Sequence, residues 1–500
     1  MTKKAYITTA IPYVNGVPHI GHALDYTLAD IWARYQRQNG HEVRFQTGVD
    51  EHGNKVAAKA AENNLSPQSY VDQMHTNFVD LIARLNITST DFIRTTEGHH
   101  RGAVQYVWQE LAKQGLIYKG SYEGWYCTGC ESFVTDKEAA ANNGICPVHQ
   151  KSYERLSEEN YYFKASQFGN EIREAIETNK LRIVPEFRRN EFLELIKDGL
   201  KDVSVSRPSK SLSWGVPVPG DDSQVMYVWL DALANYITVI GYPERPEWRE
   251  YWPADVQVVG KDILRFHAGI WPAMLLGLGL SLPKVLLVHG FVGVGGVKMS
   301  KSLGNGVGPT EVIDAYGSDA FRYYFSRHVP TQEDGDFTWE KFENAYNNEL
   351  GNDLGNLVQR IAAMVLRYQS GVIGDAGDVP KGEHDMGPYH DAIAAFEFNR
   401  AIDEIWVTVR ALNQYLEHVK PWEIAKKRDT DPEAAEHLSE VLVHSTSTLL
   451  QIADQLVPFM PTTAEAIHRL FDSGVVPADA QPIFPKIYLH TQDPRAPKVT

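Results

Sequence analysis

The sequence predicts an α/β protein: an open, doubly wound parallel sheet, broken by a cysteine-bearing insertion and followed by an all-helical region. Three observations carry this expectation. A strand–helix–strand pattern occurs twice, over residues 4–46 and again over 256–288. Between the two lies a stretch, residues 116–226, with several short strand-like runs and all three cysteines. Beyond residue 340 alternation disappears and long amphipathic patterns take over.

The first unit opens with the β-rich run KAYITTA, residues 4–10. From Ala23 to Gln38, Leu24, Leu28, Ile31, Trp32 and Tyr35 recur at helical spacing, and Asn39-Gly40 supplies a stop. His41 to Gln46 reads as the next strand. In the second unit, Val256–Val259 is a strand, Ile263–Leu276 a helix that tolerates Pro272, and Val285–Val288 a strand. Glycine-rich sequence then leads to Lys298. Three to five helices are expected between Glu340 and Leu470, the last long one including Leu438–Leu456. Pro421, Pro458 and Pro461 mark breaks, and Gly371–Pro388 reads as a loop.

A chain of 500 residues exceeds one hydrophobic core. At roughly 150 residues per domain, two to four domains are expected. Hydrophobic residues at 43% and charged residues at 22% are ordinary for a globular protein. The opening MTKKAYITTAIPYV carries charge and then apolar residues interrupted by Pro12, which is not the pattern expected of a signal peptide. No apolar run reaches the roughly 18 residues of a membrane span. Three cysteines fit metal binding better than a disulfide framework, and the cytoplasm is the expected compartment. A formal charge of −16 argues on its face against a nucleic-acid partner, although binding follows local field rather than the sum.

Two short motifs carry most of the chemistry. Pro18-His19-Ile20-Gly21-His22 sits at the strand-to-helix turn of the first unit. A helix N-terminus offers unpaired N–H groups and a positive dipole end, and two imidazoles there can donate to phosphate oxygens. Gly21 lets a flat purine approach the backbone. Lys298-Met299-Ser300-Lys301-Ser302 follows the last strand of the second unit, with two ammonium groups and two hydroxyls on a glycine-rich loop. Such a loop can close on the β- and γ-phosphates during attack on the α-phosphate. Alone, each motif is common on protein surfaces. Together, each at a strand end of its own unit, they should converge where open α/β sheets bind ligands. Separately, Cys127-x2-Cys130 and Cys146-x2-His149, fifteen residues apart, supply three thiolates and an imidazole. That set closes a tetrahedral zinc shell with no position left for water, the pattern of a structural site.

HIGH and KMSKS, unaltered, are the two signatures of class I aminoacyl-tRNA synthetases, and the chain resembles the methionyl-tRNA synthetase family in particular. TTAIPYVNGVPHIGHA, TGVDEHGNK, VSRP…SWGVPVPG, YVWLDAL, VVGKDILRFHAGIWPAM and HGFV…KMSKS run in that family's order over nearly the whole chain. The resemblance implies a Rossmann-type catalytic domain in two halves, residues 1–115 and 227–292. A connective insertion at 116–226 would carry a zinc knuckle at 127–149, in the single-knuckle bacterial form. A KMSKS and stem-contact region at 293–340 and an all-α anticodon-binding bundle at 341–500 would follow.

It also implies function. The enzyme would activate L-methionine with ATP to methionyl-adenylate, then transfer methionine to tRNA(Met) for initiation and elongation. His19, His22, Lys298 and Lys301 would be catalytic, joined at ATP by Gly21, Gly260, Asp262 and Ser300. Ile11, Tyr13, Trp229, Ala232, Tyr236, Ile263 and His267 would line the methionine pocket, with Asp50 on the ammonium. Aromatic walls suit the polarizable thioether. Leu233 stands where many relatives have proline, and Ile270 where some have an aromatic residue. Asn356 and Arg360, one helical turn apart, and Trp422 match the family's readers of a CAU anticodon. One zinc per chain, magnesium with ATP, and a monomer without a membrane are expected, the last because no basic OB-type segment follows the helices.

Alternatives are weighed on the same residues. Valine, isoleucine and leucine synthetases resemble one another in a large editing domain, because a methylene discriminates by only about 1–3 kcal/mol. The insertion here is small. The cysteinyl relative places a zinc-binding cysteine after the first strand, where this chain reads Thr9-Ala10-Ile11-Pro12. A tRNA-binding protein built on a decayed synthetase is disfavoured by the intact His19, His22, Lys298 and Lys301. A non-synthetase nucleotidyltransferase is disfavoured by the helical tail and the cysteine knuckle.

Overall fold

The computed structural model describes residues 3–128, 132–148, 150–295, 297–298, 307–374 and 385–491. β1 (Lys4–Thr9) and β2 (Glu42–Val49) are joined by the helix Ile20–Gln38, since parallel neighbours need a crossover rather than a tight turn. Helices Asn54–Glu62 and Pro67–Arg84 lead to β3 (Asp91–Arg94), and the helix Gly98–Lys113 carries the chain out of the sheet. There β4 (Ile117–Cys127), β5 (Ser132–Val134) and β6 (Glu154–Phe163) pair antiparallel.

The chain then returns to add β7 (Arg182–Val184) before leaving again through β8 (Val203–Ser204), β9 (Ser206–Pro208), β10 (Pro217–Val218) and β11 (Asp221–Met226). β12 (Val256–Gly260) and β13 (Val285–His289) complete the main sheet, in the order β3-β2-β1-β12-β13-β7, with every pairing parallel. From β1 the chain runs outward in one direction, and from β12 in the other. The crevice at their carboxyl ends is therefore the switch point where such sheets bind ligands.

Three features depart from the sequence expectation. First, β7 comes from within the stretch read as a single insertion, yet it pairs with β13 through Val285↔Arg182 and Leu287↔Val184. It covers an otherwise open hydrophobic edge. Three residues are too few to show a period.

Second, the helix expected over Ile263–Leu276 is a 3-10 turn at Lys261–Ile263, a π-helical turn at Phe266–Ile270 and an α-helix at Trp271–Gly277. Pro272 is the second residue of that last piece, but the residues before it are already helical, so its missing N–H interrupts the ladder where the π-helical turn gives way to the α-helix.

Third, Lys298 does not end a parallel strand. β14 (Val292–Val294) and β15 (Val297–Lys298) form an antiparallel hairpin, and β16 (Gly335–Phe337) pairs parallel with β14. Between β13 and β14 stands Gly290, where a Cβ would clash with the carbonyl of Glu333, so only glycine lets the segment before β16 pack this closely.

The C-terminal region is helical, as expected. A continuous run from Trp339 to Gln369, π-helical over Ala345–Gly355, is followed by Gly387–Ala394, Phe398–Val419, Pro421–Ile424, Pro432–Leu456 and Pro461–Phe471. Pro421 and Pro461 each open a helix, and Pro458 lies in the turn before the last one. The loop expected over Gly371–Pro388 overlaps the start of a helix at Gly387, and its residues 375–384 lie outside the described residues.

One core runs from the helix Ile20–Gln38 into this bundle, through Leu28, Phe321, Trp406 and Leu449. Fully buried Arg322 fastens the two. It pairs with Asp30 Oδ2 at 2.8 Å and donates to the carbonyls of Pro458 at 2.7 Å and Phe459 at 2.8 Å. A second core fills the opposite face of the sheet around Leu230, Trp271 and Val288.

Candidate functional site

A cleft of about 810 Å³ opens at the switch point. His19 and His22 line it from the start of the helix Ile20–Gln38. The local sequence dictates their poses. His19 is extended, with φ −123° and ψ 174°, and caps the helix. Its backbone N–H donates to His22 Nδ1 at 3.2 Å. Nδ1 is therefore an acceptor, and the neutral ring of His22 carries its proton on Nε2. The two rings stack with centroids 3.7 Å apart. Gly21 has a reason that sequence did not give: a Cβ there would lie 2.9 Å from His19 Cε1, so only glycine lets that ring fold over the helix start.

The cleft is also lined by Ile11, Tyr13, Trp229, Ala232, Tyr236, Ile263 and His267, all seven of the residues expected around a methionine side chain. Trp229 stacks on Phe266 at 3.5 Å, which fixes its plane. His267 Nδ1 lies 3.0 Å from the carbonyl of Ile263, to which it donates. Its Nε2 therefore accepts from the Tyr236 hydroxyl, 2.7 Å away. Burial pushes His267 down to about 4, so the ring is neutral at physiological pH and the wall carries no charge. Leu233 also lines the cleft, whereas Ile270 packs instead against the core behind it.

Asp50, only 3% exposed, lines the same cleft and forms a backbone bridge with Tyr13. Its backbone is clamped between Pro12 and Val14, its N–H donating to Pro12 O at 2.9 Å and its carbonyl accepting from Val14 N–H at 3.2 Å. A buried carboxylate beside an apolar slot suits a substrate ammonium. Gly260 and Asp262 line the cleft as well, and the Asp262 carboxylate folds back over Gly260, where a Cβ would meet its Oδ1 at 2.8 Å.

Among the lining residues that sequence reasoning missed are Asp25 and His289. His289 Nδ1 is 2.9 Å from the carbonyl of Gly290, and its Nε2 is 3.2 Å from Asp25 Oδ1. Burial holds the Asp25 carboxyl above its usual range. Asp25 stands one helical turn after His22 and His289 ends β13, so helix periodicity and strand-end position were the signals available.

The lysine-bearing segment is bracketed rather than seen. Lys298 closes β15, while Met299, Ser300, Lys301 and Ser302 lie outside the described residues. Residues flanking it on both sides, Val292, Val307 and Gly308, line the same cleft as His19 and His22.

Of the four expected zinc ligands, Cys127 and Cys146 are described, and Cys130 and His149 lie outside the described residues. Cys127 ends β4 opposite Ser132, and a turn begins at Thr128. Cys146 starts a second turn, in which Gln150 N–H donates to Cys146 O at 2.8 Å and Cys146 N–H to Lys151 O at 2.8 Å. Both thiols are buried in one small cluster with Ala139 and Tyr153. The two described cysteines, Cys127 and Cys146, thus meet in one buried cluster from two separate segments, which fits a zinc knuckle. Among the described residues alone, no group of three or more ligating side chains gathers.

In the helical region, Asn356 and Arg360 share one helix face. Arg360 is braced by Glu417 at 2.6 Å and Asn413 at 3.0 Å, both on the neighbouring helix Phe398–Val419. Asn356 is exposed, with Asn352 Oδ1 3.5 Å from its amide. Trp422 is half-buried, in the turn that follows that neighbouring helix.

Comparison with known proteins agrees with this layout. The family model described as tRNA synthetases class I (M) matches residues 5–158 and 142–362, and that of the anticodon-binding domain of tRNA ligase matches 388–492. The chain is 42% identical over 488 residues to a methionine–tRNA ligase of Streptomyces coelicolor, covering 94% of this chain and 89% of that one. It is also 42% identical to one of Caldanaerobacter subterraneus, covering 93% and 73%. Among solved structures, Mycobacterium tuberculosis methionyl-tRNA synthetase in complex with methionyl-adenylate aligns with a TM-score of 0.89. The identity is 33%, and the match covers 97% of this chain and 100% of that one.

Proposed function

Because the chain belongs to the methionyl-tRNA synthetase family and charges tRNA with methionine, we propose that both steps of that reaction run in the switch-point cleft, on the residues described above. One observation carries the reading. Neutral aromatic side chains, a buried carboxylate and a pair of helix-start imidazoles line a single cleft.

Asp50 holds the methionine ammonium. The thioether lies among Ile11, Tyr13, Trp229, Ala232, Tyr236, Ile263 and His267. The adenosine rests against Gly21, Gly260 and Asp262. A methionine carboxylate oxygen attacks the α-phosphorus, and the bond to the bridging oxygen breaks to release pyrophosphate. His19 and His22 donate to the oxygens that gain charge, and Lys298, Ser300 and Lys301 supply the remaining donors from the hairpin side. The family is ATP- and magnesium-dependent, and the ion travels with the triphosphate. A terminal hydroxyl of tRNA then attacks the adenylate carbonyl, releasing AMP. Amino-acid-dependent ATP–pyrophosphate exchange across all twenty amino acids tests the cleft. Exchange should require methionine, and a preference for any other amino acid would overturn the assignment.

The knuckle's Cys127, Cys130, Cys146 and His149 hold one structural zinc, which fixes the small domain over the cleft. Native mass spectrometry should find one zinc per chain, and chelation should lower Tm and tRNA charging together. A metal-free preparation with full charging activity refutes this. Asn356, Arg360 and Trp422 read the CAU anticodon of tRNA(Met). The enzyme works as a monomer in the cytoplasm, and sedimentation at micromolar concentration checks the first point. No helix among the described residues is long and apolar enough to cross a membrane.

A further inference from the structure

Behind the methionine pocket lies a buried cluster that the reaction does not touch. Asp231, His52 and His100 are 1%, 4% and 0% exposed. They come from three separate parts of the chain: the helix Val228–Leu233, the loop after β2 and the helix Gly98–Lys113. His52 Nδ1 lies 2.6 Å from Asp231 Oδ2, and His100 Nε2 lies 2.9 Å from Asp231 Oδ1. Each imidazole therefore donates to its own oxygen of one carboxylate. His100 Nδ1 is in turn held by the Thr238 hydroxyl at 2.7 Å. Burial opposes ionisation of Asp231, but the two rings outweigh it and hold the carboxyl well below its usual range.

The neighbours of this cluster give it a role. Asp231 stands between Trp229 and Ala232, which line the apolar wall, while its own side chain points away from the cleft. His52 is two residues from Asp50, and its N–H donates to Asp50 Oδ1 at 3.3 Å. The His52 ring meets Trp214 edge-on at 5.6 Å, and Trp214 Nε1–H donates to the carbonyl of Glu51 at 2.6 Å. The loop carrying the ammonium-binding carboxylate and the helix carrying the thioether wall are thus tied at one point. That point is a carboxylate which neither contributes to the cleft surface nor meets solvent.

We propose that Asp231, held by His52 and His100, is a positioning residue that sets the distance between Asp50 and the wall of Trp229 and Ala232, and so tunes methionine affinity without touching the substrate. This rests on the assignment of Asp50 to the ammonium. A bridge of this kind should act on one substrate only, because it joins Asp50 to the helix Val228–Leu233, and the residues assigned to ATP lie on other elements.

Steady-state pyrophosphate exchange on the full chain tests it. Asp231→Asn and His100→Phe should raise the KM for methionine about tenfold or more while leaving that for ATP within about twofold. His100→Gln places an amide N–H near the position of Nε2, and His52→Asn places one near Nδ1. Both should keep the methionine KM within about threefold of the parent, since a donor to the carboxylate is retained. A parallel rise in both KM values marks a merely structural role and overturns the proposal. An unchanged methionine KM in Asp231→Asn overturns it, and so does His100→Phe behaving like His100→Gln. If Asp231→Asn does not fold, the His100 pair decides alone. Asp50→Asn, assayed alongside, separates the layers. If it leaves the methionine KM unaltered, the ammonium assignment fails and takes this proposal with it. If it raises that KM while the Asp231 and His100 variants do not, only this proposal fails.

Discussion

Replacing His22 by asparagine is expected to lower kcat for methionine-dependent pyrophosphate exchange about 100- to 1,000-fold, the usual loss when one donor to developing charge is removed. The substitution is chosen for its geometry. His22 Nδ1 accepts from His19 N–H at 3.2 Å, and an asparagine oxygen occupies nearly the same place. The helix start therefore keeps its cap and loses only the Nε2 donor. Loss of an interaction that strengthens in the transition state falls on kcat, so both KM values should move little. His19→Asn is expected to behave similarly. The double variant should lose less than the product of the two, because the rings stack at 3.7 Å and neither pose is independent of the other. His22→Gln, which keeps a donor near Nε2, should recover part of the rate. An unaltered kcat in His22→Asn would remove this residue from the phosphate site.

Trp422→Ala should divide the two half-reactions. Stacking a single-stranded base on an aromatic ring contributes about 1–3 kcal/mol, so kcat/KM for charging of tRNA should fall about ten- to a hundredfold. Pyrophosphate exchange, which needs no tRNA, should stay within about twofold. Trp422 is half-buried against the bundle core, so some loss of Tm is expected as well, and the exchange assay reads whether that loss reaches the cleft. Arg360→Ala should show the same split. Its guanidinium is already braced by Glu417 and Asn413, so little ordering remains to be done when a base arrives. An equal decline in both assays would place these residues in folding rather than in recognition.

The buried pair of Arg322 and Asp30 connects these two arguments. It ties the helix that carries His19 and His22 to the turn at Pro458 and Phe459 within the helical region. Truncating either partner would strand a charge in the core, at a cost of about 3–5 kcal/mol. Variants at this pair would report on stability first, which makes them poor probes of either site.

Much was fixed along the chain itself. The order of β1, β2, β12 and β13, the helix beginning at His19, the turn cysteines and the helical C-terminal region all follow from local periodicity, capping and turn chemistry, which act within a few residues. His19 and His22 were readable for the same reason: a helix start announces itself locally. Other features needed the whole molecule. The short strand at Arg182–Val184 joins the main sheet because β13 has an edge to cover. Asp25 meets His289 across 264 positions, and Asp231 gathers two histidines 131 and 179 positions away. No pattern in the sequence pairs such residues. A buried carboxylate's partners are set by which elements pack together, and desolvation then decides whether the charge survives there.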